Sequence, residues 1–544
     1  SSSLTLAAPR VTSLENAILC LKAVTGDDID NAYDVSHNGL IGLEDAIFEL
    51  DLLSSGQTPP VAMPILEMNL PGSWDENWFA SPAVYDLDGD GSKEIIAGRH
   101  SVLYVWEADG TLKWSAPVGE NATPTIEHGS SRQYASPVVG DLDNDNLGEI
   151  ALSYSNNVAV YDHTGSLQTG WPKTFPGPSG EIRSLAAADL NNDGTMEILA
   201  VKTSSGPVTN VWNIDGTVLA GWPQVSGCSE CNNFGGYNQN IGASDLDGDQ
   251  LPEVISTFDI CHIGFNYANG SALPAHPMFS GEYASSVPMF HDIDLAIQGW
   301  GADGNDRDEF TDSPPVFTDL DGDGRDEVIL YSDHERAGEY INRGNCLWAL
   351  NSDMTRVPGF EVPTCSGNPL FTGYMNNIVQ IAPAPALADL TGNVRLEIIV
   401  PSYDGYMRAF LPDGSLFWSY QFDAPGGHFI GASGAAVGDL NSDGHPEIIF
   451  STYSTEQDVS HLIVLDAEGA ELHKIQLAKR GSMGVPTLAD LDDNGTIEIV
   501  VSLKDRLDYT YGGVQVYHVA SALEGYTPWP TGRGNLTRDG RPAM

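Results

Sequence analysis

The chain has 544 residues, too many for one simple core, although a ring of repeats can hold that length in a single domain. Asp and Glu number 75 against 24 Lys and Arg, and the formal charge of −51 opposes binding to nucleic acid or to anionic membranes. No apolar run approaches the roughly 18–20 residues of a membrane span, while 58 Gly and 33 Pro suit many short strands joined by tight turns.

Residues 1–11 read as an extended arm, expected to dock on its own domain or on a neighbouring chain. The chain starts at Ser1 rather than Met, which suggests a mature, exported protein, extracellular or at the cell surface. Residues 12–54 form a small helical module. Ser13 is a candidate N-cap for a first helix, and a second runs from Glu44 to about Leu53. Between them lies an EF-hand-like loop. Asp34, Ser36 and Asn38 stand at positions 1, 3 and 5, Gly39 at 6, the Leu40 carbonyl at 7 and Asp45 at 12. Asp at position 12 resembles the loop of dockerin modules. Those carry two such loops and one is evident here, so a calcium-stabilised helix pair is expected rather than cohesin binding. Residues 55–74 make a Pro-rich linker, with Ile65 to Leu70 a possible strand of the first or last blade.

From residue 75 to 544 one unit recurs at roughly 50–75-residue spacing. A small, apolar strand leads into an acidic nine-residue loop, a second apolar strand follows, and a hairpin supplies two more. Ligand-bearing side chains stand at loop positions 1, 3, 5 and 9, and a backbone carbonyl at 7. The first loop offers Asp86, Asp88, Asp90, Ser92 and Glu94, and the second Asp141, Asp143, Asp145, Leu147 and Glu149. The third has Asp189, Asn191, Asp193, Thr195 and Glu197, and the fourth Asp245, Asp247, Asp249, Leu251 and Glu253. In the fifth these are Asp319, Asp321, Asp323, Arg325 and Glu327, and in the sixth Asp389, Thr391, Asn393, Arg395 and Glu397. The seventh carries Asp439, Asn441, Asp443, His445 and Glu447, and the eighth Asp490, Asp492, Asn494, Thr496 and Glu498. So many like charges in nine residues are costly without a cation. Oxygen-only ligands on a tightly turned loop suit calcium better than magnesium, with up to about nine ions in all. Asp-Gly, Thr-Gly, Asn-Gly and Glu-Gly pairs mark the hairpin tips. The fold expected is mainly β: an eight-bladed propeller of four-stranded blades, or a seven-bladed one if a repeat is displaced, preceded by the helical module.

Over roughly residues 75–530 the repeats resemble the FG-GAP/VCBS repeats of integrin-α-like propellers, which carry a D-x-D-x-D-G loop between the first two strands of a blade. The resemblance implies calcium loops on one rim and extracellular binding or adhesion. This sequence departs from it in three ways. Thr391 and Asn393 should weaken the sixth site, Asn146 and Gln250 replace the usual Gly, and position 9 is Glu throughout where integrins generally use Asp.

Long insertions near 280–311 and 340–375 are candidate binding loops. Cys346 and Cys365 are placed to bridge neighbouring strands, and Cys228 and Cys231 to form a small loop disulfide; Cys20 and Cys261 have no evident partner. Tyr526 to Asn535 looks like a closing outer strand pairing with the N-terminal strand. Trp171-Pro172 and Trp222-Pro223 recur at equivalent blade positions, which points to packing. Asn121, Asn269 and Asn535 lie in glycosylation sequons. The usual enzyme motifs do not appear. His291, Asp292 and Asp294 are the one acid–base group singled out. The favoured reading is a calcium-binding adhesin or a structural subunit of an extracellular assembly such as a filament. Its partner is a protein or glycan ligand, with self-association through the arm or helical module a further possibility. The alternative is a calcium-dependent carbohydrate-active enzyme such as a polysaccharide lyase, although the negative surface opposes a uronate substrate unless calcium bridges the two.

Overall fold

The computed structural model describes residues 60–70, 72, 77–122, 131–203, 206–224, 235–258, 262–299, 308–333, 344–366, 370, 383–504, 513–523 and 525–543. The arm, the EF-hand-like module, Cys20, the Cys228–Cys231 pair and Cys261 lie outside these residues. Among the described residues the fold is mainly β, in eight antiparallel sheets. This is the eight-bladed propeller, not the seven-bladed one. The innermost strands are Ala83–Tyr85, Val138–Gly140, Ile182–Ala188, Ile241–Ser244, Val316–Thr318, Ala386–Ala388, Ile430–Gly438 and Thr487–Ala489. Six sheets have four strands. Those of blades 3 and 4 have three, the outer strand of blade 3 shrinking to bridges such as Thr209 to Gln224.

Burial follows from the stacking of blades face against face. A second strand such as Glu94–Arg99 is buried along its whole length, because both its faces meet a neighbouring blade. Outer strands such as Glu471–Gln476 alternate between exposed and half-buried residues. Tryptophans latch successive blades. Trp114, Trp171, Trp222 and Trp418 each donate the indole N–H to a carbonyl on the next blade's hairpin, at His163 (3.0 Å), Ile214 (2.7 Å), Ala268 (3.0 Å) and Ala467 (2.9 Å). The two Trp-Pro pairs, both cis, are therefore packing elements, as their recurrence suggested. Cys346 and Cys365 face each other in register on the third and fourth strands of blade 5 and form a disulfide.

The ring is closed by Ile65–Leu70, which adds to Val514–Leu523 as the outer strand of the last blade. That position being taken, the C-terminal segment is not the outer strand its sequence suggested. It fills the central channel instead. Its carbonyls at Trp529, Pro530, Leu536, Thr537, Asp539 and Gly540 accept, in chain order, from Val437, Leu488, Val139, Ala187, Ala243 and Phe317, at 2.8–3.0 Å. Each donor stands two residues before the first Asp of its acidic loop. One N–H in the same register is thus satisfied in six blades, where the inner sheet edge would otherwise be orphaned. Arg533 donates to the carbonyls of Gln239 and Ile241. Arg538 donates to those of Pro137, Gly532 and Pro82 and to Thr531 Oγ1. Only glycine permits part of this path: at Gly534, with φ +85°, a Cβ would sit 2.0 Å from the Arg541 carbonyl. The sequon residue Asn535 lies inside this segment, its amide bonded to Asp539 (2.7 Å).

Candidate metal centres

All eight acidic loops join a first strand to a second, so they crown one end of the ring. Three hydrogen bonds recur in every copy. The position-1 Asp Oδ2 accepts from the N–H of position 6, as in Asp319 with Gly324 (2.9 Å). The position-5 oxygen accepts from position 7, as in Asp323 with Arg325 (2.9 Å). The position-9 Glu Oε2 accepts from position 2, as in Glu327 with Leu320 (2.7 Å). Position 2 is leucine throughout, and each is buried. This leucine anchors the loop in the core while its N–H holds the glutamate. The repeated leucine was visible in the sequence, but its role was not.

The backbone makes two left-handed turns in each loop, at positions 4 and 6. Gly91, Gly194, Gly324, Gly444 and Gly495 meet the demand at position 6. Asn146 (φ 71°), Gln250 (φ 73°) and Val394 (φ 69°) bear it as side-chain residues. Val394 is the most strained, being β-branched and 89% exposed, with nothing gained from burial. Val394→Gly is expected to stabilise the protein by about 1 kcal/mol, read as a higher midpoint in a thermal melt.

Carboxylate oxygens converge within 4.8 Å of one another in Asp86/Asp88/Asp90, Asp141/Asp143/Glu149 and Asp245/Asp247/Asp249. The fit to a cation rests on more than charge. Asp88 Oδ1 and Asp143 Oδ1, both at position 3, are buried atoms without a hydrogen-bond donor. An orphaned, desolvated anionic oxygen is costly unless a cation meets it. Burial pushes Glu149, Glu197, Glu253 and Glu327 up to about 7, and Glu447, in the most enclosed loop, to about 9.

The copies are not equivalent. In the sixth, Thr391 Oγ1 donates to Glu397 Oε1 (3.2 Å), and in the third Asn191 Nδ2 does the same to Glu197 (3.1 Å). In the eighth, His518 Nδ1 lies 2.8 Å from Glu498 Oε1. The first loop holds a cation of its own, Lys113 Nζ lying 2.7 Å from both Asp88 and Glu94. That hydrogen bond keeps the Asp88 carboxyl below its ordinary range. Lys113→Met is expected to tighten calcium binding at this loop about tenfold by removing the competing ammonium, as a calorimetric titration would show.

His291 and Asp292 are engaged with different partners. His291 Nε2 lies 2.6 Å from the buried Asp308 Oδ1, whose Oδ2 accepts from Trp348 Nε1 (2.8 Å). Asp292 caps the short helix Ile293–Gln298 by accepting from Asp294 N–H (2.8 Å).

A family model described as FG-GAP-like repeat matches residues 86–152 and 141–200, the first two loops and the strands that follow them, and extends through the third loop. No curated protein matches the chain in sequence. Among solved structures, the V. cholerae biofilm matrix protein Bap1 is similar at 14% identity and TM-score 0.53, over 86% of this chain and 94% of its own. A quinohemoprotein alcohol dehydrogenase from Comamonas testosteroni is similar at 11% identity and TM-score 0.50, over 94% and 85%. A rhamnogalacturonan lyase from Bacillus licheniformis follows at 14% identity and TM-score 0.46, over 86% and 77%. At these identities the likeness to Bap1 and to the dehydrogenase is one of fold. The chain is an eight-bladed β-propeller, and its residues 86–200 match FG-GAP-like repeats.

Proposed function

We propose that this protein is an exported, calcium-stabilised β-propeller that works by binding, as an adhesin or a structural subunit of an extracellular assembly. The observation that carries the reading is the donorless, buried oxygen at position 3 of the first two loops, Asp88 Oδ1 and Asp143 Oδ1, in loops already shaped by their own backbone. In this reading positions 1, 3, 5 and 9 and the position-7 carbonyl hold each ion, position 9 also fixing the loop through its bond from position 2, and the EF-hand-like loop adds one more site. The ions supply charge neutralisation and stiffness rather than chemistry. A protein of the same fold, Bap1, is by its description a biofilm matrix protein, the kind of setting inferred here. Among the described residues no helix is long and apolar enough to cross a membrane. Lyase chemistry rests on no comparable observation: Asp292 caps a helix and His291 is hydrogen-bonded to Asp308.

The test is native mass spectrometry of the full chain with calcium and after chelation, paired with electron microscopy of both samples. Several ions per chain and calcium-dependent assemblies are expected. A metal-free chain in millimolar calcium would overturn the calcium reading, and uniform monomers in both samples would overturn the assembly reading.

A further inference from the structure

The end of the ring opposite the acidic loops carries a local row of cations. Six residues from five blades alternate there as cation and ring. Lys504 Nζ lies 3.7 Å from the Trp78 ring centroid, and the Arg132 guanidinium lies 5.4 Å from Trp78 and 5.7 Å from Tyr134. Arg183 follows at 4.1 Å from Tyr134 and 5.6 Å from Tyr237. Aromatic faces hold cations in place at little conformational cost and leave the N–H edges for a ligand. Arg183 also receives Glu181, whose Oε2 accepts from Nε at 3.0 Å. Arg132 has no carboxylate partner among the described residues; its Nη1 donates to Tyr134 Oη at 3.1 Å. The Trp78 indole N–H is buried and unmet.

In a chain of net charge −51 with 24 basic residues, a row of three cations is not a by-product of composition. Glu181 also lines an open recess of about 750 Å³, together with Ser155, Asn156, Asn157, Thr174 and Thr203. Amide and hydroxyl side chains beside an arginine row suit a ligand that mixes hydroxyls with anionic groups. We infer that this end of the propeller binds an anionic saccharide, its carboxylates or sulfates meeting Arg132 and Arg183 and its hydroxyls the recess. The inference does not depend on calcium occupancy of the opposite rim.

The experiment is calorimetry of the full-length protein with short oligogalacturonate, sulfated dextran and neutral dextran, each with calcium and with chelator. Binding of one or both anionic sugars, and not of neutral dextran, is expected. Which of the two binds identifies the anion. Arg132→Ala should weaken binding about tenfold, the worth of one charge-assisted contact, and added salt should weaken it further. Lys474→Ala, on an outer strand, should leave affinity unchanged. Arg132→Gln, which keeps much of the side-chain volume, repeats the test if Arg132→Ala melts early. Equal affinity for polyglutamate would overturn the saccharide assignment. Equal binding by the Arg132 variants, or silence from both anionic sugars, would overturn the site. Binding that survives chelation while calcium sites prove absent would sink the calcium reading and leave this one standing.

Discussion

Cutting the chain after residue 524 is expected to abolish a cooperative fold. The ring would lose the acceptors of six inner-edge N–H groups and the side chains of Trp529, Arg533 and Arg538, all of them buried. The milder test is Arg538→Met. It strips donors from the carbonyls of Pro137, Pro82 and Gly532, in a place 0% exposed. Each unmet buried carbonyl costs about 1–3 kcal/mol, so a loss of about 4 kcal/mol is expected in chemical denaturation. Arg538→Lys should recover only part of it, because an ammonium cannot span carbonyls set around a planar fork. A change below about 1 kcal/mol for Arg538→Met would mean that the hub segment is a filler rather than a fastener.

Chelation should have the second large effect. If each ion binds the folded loop alone, a site held at a hundredfold excess over its dissociation constant contributes about 2.7 kcal/mol. Several such sites make a midpoint drop of about 10 °C or more a conservative expectation. Asp319→Ala combined with Asp321→Ala should lower the calcium count by one, and Asp389→Ala should change it less, because Thr391 already serves Glu397 there. Differential scanning calorimetry with and without chelator reads the first effect, and native mass spectrometry the second. An unchanged melt would remove the ions from the account of stability.

What the sequence revealed and what it hid divide along physical lines. Strand–loop–strand order, hairpin tips and the Cys346–Cys365 bridge are local patterns, written within a few dozen residues. Ile65 to Leu70 was legible as a closing strand, though not which blade it would close. The hub segment was misread because Trp529 and its neighbours look like a short strand. Its bonding partners lie in six other blades, with no periodicity to announce them. Lys113 escaped notice for a related reason: it acts on Asp88 from the far side of a hairpin. The cation–aromatic row was invisible because its members, from Trp78 to Lys504, meet only when the ring is shut. They also sit in a composition that argued against any anionic partner.

Closure by residues from both ends also bears on the order of events in folding. Blade 8 needs Ile65–Leu70 and Val514–Leu523 together, and the axis needs residues 526–543. Until residues 526–543 are in place, the inner-edge N–H groups of six blades lack the acceptors they have in the folded chain. Commitment to the closed ring therefore waits on pairing between segments far apart in sequence, as in Ile65 with His518, which makes closure the long-range step of folding.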